Sequence, residues 1–437
     1  MWRAGQVRLT VLSALVLAAR FCFAESITPL SLDPYALGVM SLKNGDFAGA
    51  ESRFQEALTS GSNDVRLRSL FGLADLELRK GQPQEVEKYL RQAQSTAPQE
   101  PAVYRAWGRY LAIQKRFPEA EKSFQRAVVL SHRDVGSQMD LGDFYLLGPR
   151  RFKEATGAYR AVLAKNPNHA GAHYALGIAL TRLGQNAEAE TQLQDASRLA
   201  PTLPFAPQAL GELYLHRRQY DKALETFSGV VKLRADFVPA HVGLGDAWWG
   251  KEDASKAAAE YAKAAKLAPN EASLQIKLGM LDEWFGKPQE AEQAYLAAVR
   301  LDPKAAVAYN NLAWMTVEGN TLGTSKLDQA EKWAQTAVDL DPRIPAFQVT
   351  LAWAYRARGE LDKATSVLEK SADANPQSPE VLYRLGVVYS EAGKTRQAAA
   401  YLAKALAVET DAREADDIRK RLGALGRGPT TQPAPHP

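Results

Sequence analysis

The sequence predicts an all-α protein in which one helical hairpin is repeated about eleven times. The first reason is a strict period. A small residue recurs at Gly38, Ala74, Gly108, Gly142, Gly177, Gly211, Gly245, Gly279, Ala313, Ala352 and Gly386, and seven of the ten intervals are 34 residues, the others being 36, 35 and 39. A fixed period of this length marks a stacked array of supersecondary units. The second reason is helical spacing around that marker. A leucine usually precedes it (Leu141, Leu176, Leu210, Leu244) and an aromatic often follows three later (Tyr145, Tyr214, Trp248, Tyr355, Tyr389), which puts both on one helical face. The third reason is punctuation. Pro98, Pro167, Pro201, Pro269, Pro303, Pro342 and Pro376 end many units, and a residue that lacks an N–H and restricts its predecessor stops one helix just where the next begins.

The second helix of each unit follows from an alanine about twelve residues after the marker (Ala50, Ala120, Ala155, Ala189, Ala223, Ala257, Ala291), which permits close backbone approach. A bulky residue comes four later, as at Phe54, Phe124, Tyr159, Phe227, Tyr261 and Tyr295. Two units depart from the pattern: the third has His132 where proline is usual, and the second carries Val86 for alanine.

These marks in register resemble the tetratricopeptide repeat family over residues 31–410. The resemblance implies a right-handed α-solenoid, a superhelix of about eleven helix-turn-helix repeats that binds its partners along a concave groove lined by the first helices. In such an array each pair buries its faces against its neighbours, so length does not count domains, and the ends need caps. Residues 411–426 read as a C-terminal capping helix with Ala415, Ile418 and Leu422 on its covered face. Residues 427–437, proline-rich and poor in apolar side chains, read as a disordered tail.

The first 24 residues differ from the rest. Arg3 and Arg8 precede an apolar run, Leu9 to Ala19, and small residues stand at Cys22 and Ala24 before Glu25, the first acid of the chain. That is the pattern of a secretory signal peptide. The run is too short for a span of about 20 residues, so no transmembrane anchor is expected after cleavage. A mitochondrial presequence would be amphipathic, which this run is not. A lipoprotein signal would need a small residue before Cys22, where Phe21 stands. An exported chain, periplasmic or secreted, is the expectation. Cys22 is the only cysteine, so cleavage after Ala24 leaves no disulfide or thiol chemistry. Loss of Arg3, Arg8 and Arg20 lowers the formal charge from +4 to +1, which provides no electrostatic case for nucleic acid or an anionic membrane as partner.

Catalytic constellations are missing: the sequence has no Gly-x-Ser-x-Gly, no phosphate loop and no His-Glu-x-x-His. His169 and His173 stand at i and i+4, a metal-ligand spacing, but His173 and His241 occupy equivalent repeat positions and read as packing residues. The sequence therefore predicts no enzyme, no cofactor and no metal. Function then falls to the groove, where the family's inward positions carry Phe71, Arg105, Arg109, Tyr174, Phe205, Trp249, Asn310, Trp314, Trp353 and Tyr383, with Trp284 one residue beyond such a position. Trp248 and Trp333 read as packing. Trp249, Trp284, Trp314 and Trp353 come from four successive repeats and are expected in a line, either packed between helices or exposed as anchors for a peptide or a platform for sugar rings.

The lysine and asparagine clamp with which some family members grip a C-terminal carboxylate is not matched, since Asn310 and Asn311 lack basic residues in neighbouring units. The asparagine ladder of the family's sugar-nucleotide transferases is not matched either. About five extra residues in the ninth unit, within VEGNTLGTSKLDQA, project as a loop, and the section around them is similar in style to long bacterial members that work in envelope assembly and exopolysaccharide export. The expectation is a non-enzymatic scaffold for protein partners in the cell envelope, with a carbohydrate-binding or assembly component of exopolysaccharide secretion as the alternative.

Overall fold

The computed structural model describes residues 33–318, 324–409 and 411–426. The expected signal peptide, the expected tail and part of the ninth unit's insertion lie outside these residues. Every regular element described is an α-helix, and the chain divides into two compact units, one ending at Arg217 and one beginning at Arg218.

The first unit holds five antiparallel hairpins and a further helix. The hairpins pair α1 (Pro34–Lys43) with α2 (Phe47–Ser60), α3 (Asn63–Arg79) with α4 (Pro83–Thr96), α5 (Pro101–Ile113) with α6 (Phe117–Leu130), α7 (Val135–Leu147) with α8 (Phe152–Lys165), and α9 (Ala170–Arg182) with α10 (Asn186–Leu199). The additional helix is α11 (Phe205–His216). The second unit starts with α12 (Tyr220–Leu233). Its hairpins pair α13 (Val238–Gly250) with α14 (Ala254–Leu267), α15 (Ala272–Trp284) with α16 (Pro288–Leu301), α17 (Ala306–Glu318) with α18 (Thr324–Leu340), α19 (Pro345–Ala357) with α20 (Leu361–Ala374), and α21 (Pro379–Glu391) with α22 (Thr395–Val408). The last helix, α23 (Ala412–Gly426), packs on α22, and its Ile418 is buried in a cluster with Leu385 and Leu402 that Leu422 also borders.

Local chemistry explains the boundaries. Asp33, Asp134 and Ser378 accept hydrogen bonds from the backbone N–H three residues on, at 2.6, 2.8 and 3.4 Å, which satisfies donors that a helix start leaves open. Pro98, Pro167, Pro201, Pro269, Pro303 and Pro376 each stand directly after a helix C-cap. The caps before them leave the helical region, at φ −140°, ψ 71° for Ala97 and φ −134°, ψ 64° for Asn375, as a following proline disfavours the α conformation there. Inside a hairpin the turn needs one left-handed residue. Glycine supplies it without strain at Gly359 (φ 77°), whereas Lys115 (φ 57°) adopts it at some cost.

The recurrent small residue has a packing reason. A Cβ on Gly108 would lie 2.8 Å from the Phe124 ring, on Gly142 2.6 Å from Tyr159, on Gly245 2.3 Å from Tyr261 and on Gly279 2.6 Å from Tyr295. Each ring comes from the second helix of the same hairpin and lies flat against the missing side chain. Where the marker is alanine the second helix answers with a smaller residue: Ala352 shares its cluster with Leu368, and Ala313 shares one with Ala334. Glycine also faces leucine, at Gly177 with Leu193 and Gly386 with Leu402, so a ring requires the glycine whereas leucine is found opposite either marker.

First helices of successive hairpins also touch one another. In the first unit α1 meets α3, and α5, α7, α9 and α11 meet in sequence; in the second, α17 meets α19 and α19 meets α21. The first helices therefore form a continuous inner row in each of these stretches. Side chains on that row come from consecutive repeats.

Candidate inner-row binding surface

In the second unit the first helices carry two separate aromatic clusters. Trp249 on α13 and Trp284 on α15 meet edge to face, with ring centroids 5.4 Å apart and planes at 73°. Trp249 is half-buried and Trp284 is 64% exposed, an unusual degree for so large an apolar surface. Beneath this pair the polar groups are tied together. Asp246 accepts from Tyr261 Oη and pairs with Lys277 Nζ, each at 2.5 Å, and burial with the Asp246 charge pushes the Tyr261 hydroxyl well above its ordinary range. Glu283 Oε2 accepts from Tyr295 Oη at 2.5 Å.

Burial, reinforced by the nearby Glu318 charge, raises the Glu283 carboxyl above its ordinary value despite that hydrogen bond. A carboxyl whose folded value lies above its unfolded one is destabilising while ionised. Folding stability from this group therefore rises as pH falls through the raised value. Glu283→Gln keeps an acceptor for Tyr295 and removes the charge, so it is expected to melt higher than the parent at neutral pH. That advantage should fade by about pH 4, where the parent carboxyl is largely protonated. A variant that melts lower at both pH values would contradict this reading.

The second cluster joins three neighbouring first helices. Trp353 on α19 is buried, and the guanidinium of Arg384 on α21 lies over it with Cζ 4.4 Å from the ring centroid. The same guanidinium is 5.3 Å from the Trp314 ring on α17 and 5.8 Å from Tyr383. Arg356 approaches Trp353 at 5.1 Å and forks onto Glu391 at 2.7 and 2.5 Å. Tyr383 Oη donates to Asp417 Oδ2 at 2.6 Å, and Arg421 Nε donates to the same oxygen at 3.0 Å.

Of the four tryptophans, Trp249 and Trp284 touch directly, and Trp314 and Trp353 are bridged by the Arg384 guanidinium. Trp248 and Trp333 pack against core clusters. Sequence spacing brought Trp314, Trp353 and Tyr383 together but did not single out Arg384. That residue stands one position beyond the inward site at Tyr383, and Glu380, four residues earlier, offers it an ordinary intrahelical partner. The structure puts the guanidinium on the rings instead.

The other sequence-selected residues are dispersed, and several are not available to a partner. Phe71 and Asn310 are buried, as is Trp353, so none of the three presents a surface to touch. Asn310 Nδ2 donates to Asn311 Oδ1 at 3.3 Å inside α17. Arg105 and Arg109 on α5 both turn to Asp140 on α7, at 2.5 and 2.9 Å, and so tie adjacent first helices together. Tyr174 on α9 is half-buried, and Phe205 at the start of α11 is 44% exposed.

The histidines are structural. His169 caps α9 by accepting from Ala172 N–H at 2.9 Å. His173 bridges Gln192 Oε1 and the Pro167 carbonyl at 2.7 and 2.8 Å, and His241 bridges Glu260 Oε2 and the Ala235 carbonyl at 2.8 and 3.0 Å, the same device two repeats on. Among the described residues no group of three or more His, Cys, Asp or Glu is placed to hold a metal ion, and no helix is long and apolar enough to cross a membrane.

Comparison with known proteins agrees with this architecture. The chain is 23% identical over 269 residues to anaphase-promoting complex subunit 3 of Schizosaccharomyces pombe, a match covering 62% of this chain and 40% of that protein. It is 25% identical over 226 residues to the protein O-mannosyl-transferase TMTC1 of Homo sapiens, covering 51% of this chain and 24% of that one. The chain thus spans less than half the length of either curated relative. In the crystal structure of the APC/C hetero-tetramer Cut9-Hcn1 a chain superposes with a TM-score of 0.50 at 15% identity, covering 95% of this chain and 99% of that one, which speaks for the fold alone. Tetratricopeptide repeat models match residues 41–108, 146–210 and 356–422, and a second model of the same description matches 209–272 and 321–379. Together these matches cover more than half of the sequence, and the chain belongs to the tetratricopeptide repeat family.

Proposed function

We propose that the chain is a non-catalytic scaffold that docks a protein partner on the first helices of its second unit, with Trp284 as the exposed anchor. The observation that carries this reading is the Trp249–Trp284 pair: a ring 64% exposed is held edge-on at 5.4 Å by a half-buried neighbour, so it is presented in one orientation. A rigid aromatic loses little conformational entropy on binding and supplies much apolar area, which is why such residues dominate interface energetics. The family's usual role as a protein-binding scaffold supports the reading, and the signal-like residues 1–24 support an exported chain acting in the cell envelope, periplasmic or secreted.

Selection of the full chain against a displayed peptide library, run beside a glycan array, tests it. Selected peptides are expected to lose about tenfold in affinity on Trp284→Ala, the scale of a hot-spot truncation. Peptide binding unchanged by that substitution would remove the anchor. Enrichment on the glycan array alone, lost in the same variant, would replace the reading with carbohydrate binding, which the exposed planar ring also favours. Export is tested separately, by fusing residues 1–30 to a reporter active only outside the cytoplasm.

A further inference from the structure

We propose that Arg384 is a carboxylate receptor, and that the partner segment docked on the inner row places an Asp or Glu side chain against it; this rests on the protein-binding reading above. Arg384 stands out by its partners. Arg356 forks onto Glu391 and Arg421 pairs with Asp417, so two of the three arginines converging on Trp353 and Tyr383 are neutralised within the fold. Arg384 makes no ion pair and no hydrogen bond among the described residues. Its contacts are the faces of Trp353, Trp314 and Tyr383. Of these three arginines, Arg384 is the one without an ion pair among the described residues.

The geometry also selects the edge that remains open. Nε is buried without a partner, while the side chain as a whole is only half-buried, so the Nη1–Nη2 end carries the donors that reach solvent. A planar guanidinium clamped between rings has already lost its rotamer freedom, and its end-on pair of N–H groups matches the two oxygens of a carboxylate. Trp314 beside it offers apolar surface to the methylenes of an acidic side chain. Partial desolvation by the rings strengthens the charge-assisted hydrogen bonds relative to those of an arginine in open water.

The probe is three pools of random dodecapeptides with amidated C-termini and the central position set to Glu, Gln or Lys, bound to the immobilised full chain. The Glu pool is expected to bind about tenfold better than the Gln pool, with Lys weaker still. Arg384→Gln should collapse the Glu-to-Gln ratio to about one, and Arg384→Lys, which keeps the charge but not the fork, should leave it intermediate. Trp284→Ala should weaken all pools and preserve the ratio, because it lies in the other cluster. Equal binding of the Glu and Gln pools, or a ratio unmoved by Arg384→Gln, overturns the proposal while leaving the scaffold reading in place. Absence of binding by every pool overturns both. A Gln pool with a free C-terminus that outperforms the amidated Glu pool would also overturn it, assigning the site to a chain end instead of a side chain. Thermal melts of both Arg384 variants accompany the assay, so a ratio lost together with folding is not counted as support.

Discussion

Phe124→Ala is expected to lower unfolding free energy by about 3–5 kcal/mol, the scale for removing a fully packed phenylalanine. Phe124 is 3% exposed, lies where a Cβ on Gly108 would be 2.8 Å away, and touches Phe144 at 5.2 Å between ring centroids. The more informative substitution is its partner. Gly108→Ala alone is expected to cost about 1–3 kcal/mol through overpacking, because the ring has nowhere to move. In the double variant Gly108→Ala, Phe124→Leu the loss should be smaller than the sum of the two single losses. The alanine–leucine combination already exists at Ala352 and Leu368, and residues in direct contact couple by about 0.5–3 kcal/mol. Denaturant unfolding of the four proteins in this cycle measures the coupling. Strict additivity would mean that the small marker and the ring do not share one volume, and the packing account of the repeat would fall.

The second large effect separates two tryptophans that the sequence treats alike. Trp353→Ala is expected to cost about 3–5 kcal/mol, since the ring is 7% exposed and forms the floor under Arg356 and Arg384. Trp284→Ala is expected to stay within about 0.5 kcal/mol of the parent, as for other exposed positions. Acrylamide quenching checks the same difference without unfolding. Trp284→Ala should remove the most quenchable emission, whereas Trp353→Ala should remove a shielded component and shift the unfolding transition to lower denaturant. If Trp353→Ala unfolds at the parent's midpoint, the ring is not packed as described and the platform beneath Arg384 is lost with it.

Helix number and order were legible because they follow from local causes. The period, the leucine and aromatic spacing and the unit-ending prolines each act within a few residues, and the helices, hairpin order and capping helix appear where those signals put them. The equivalence of His173 and His241 was legible for the same reason, since a packing position repeats with the framework.

Which inner-row residues face outward was not legible. Inward position by repeat spacing gives direction but not depth: Phe71, Asn310 and Trp353 stand at inward positions as Phe205 does, yet they are buried while Phe205 is exposed. Nor could spacing show that Arg105 and Arg109 would be taken up by Asp140 on the next first helix, more than thirty residues away. Arg384 shows the limit most clearly. Its sequence offers Glu380 one turn earlier, and only the approach of α17, α19 and α21 supplies three aromatic faces that hold the guanidinium elsewhere. Periodic residues therefore determined the helices and their order, since backbone propensity and burial act along the chain. Exposure and charge pairing were decided by the stacking of helices, since both depend on neighbours a full repeat away.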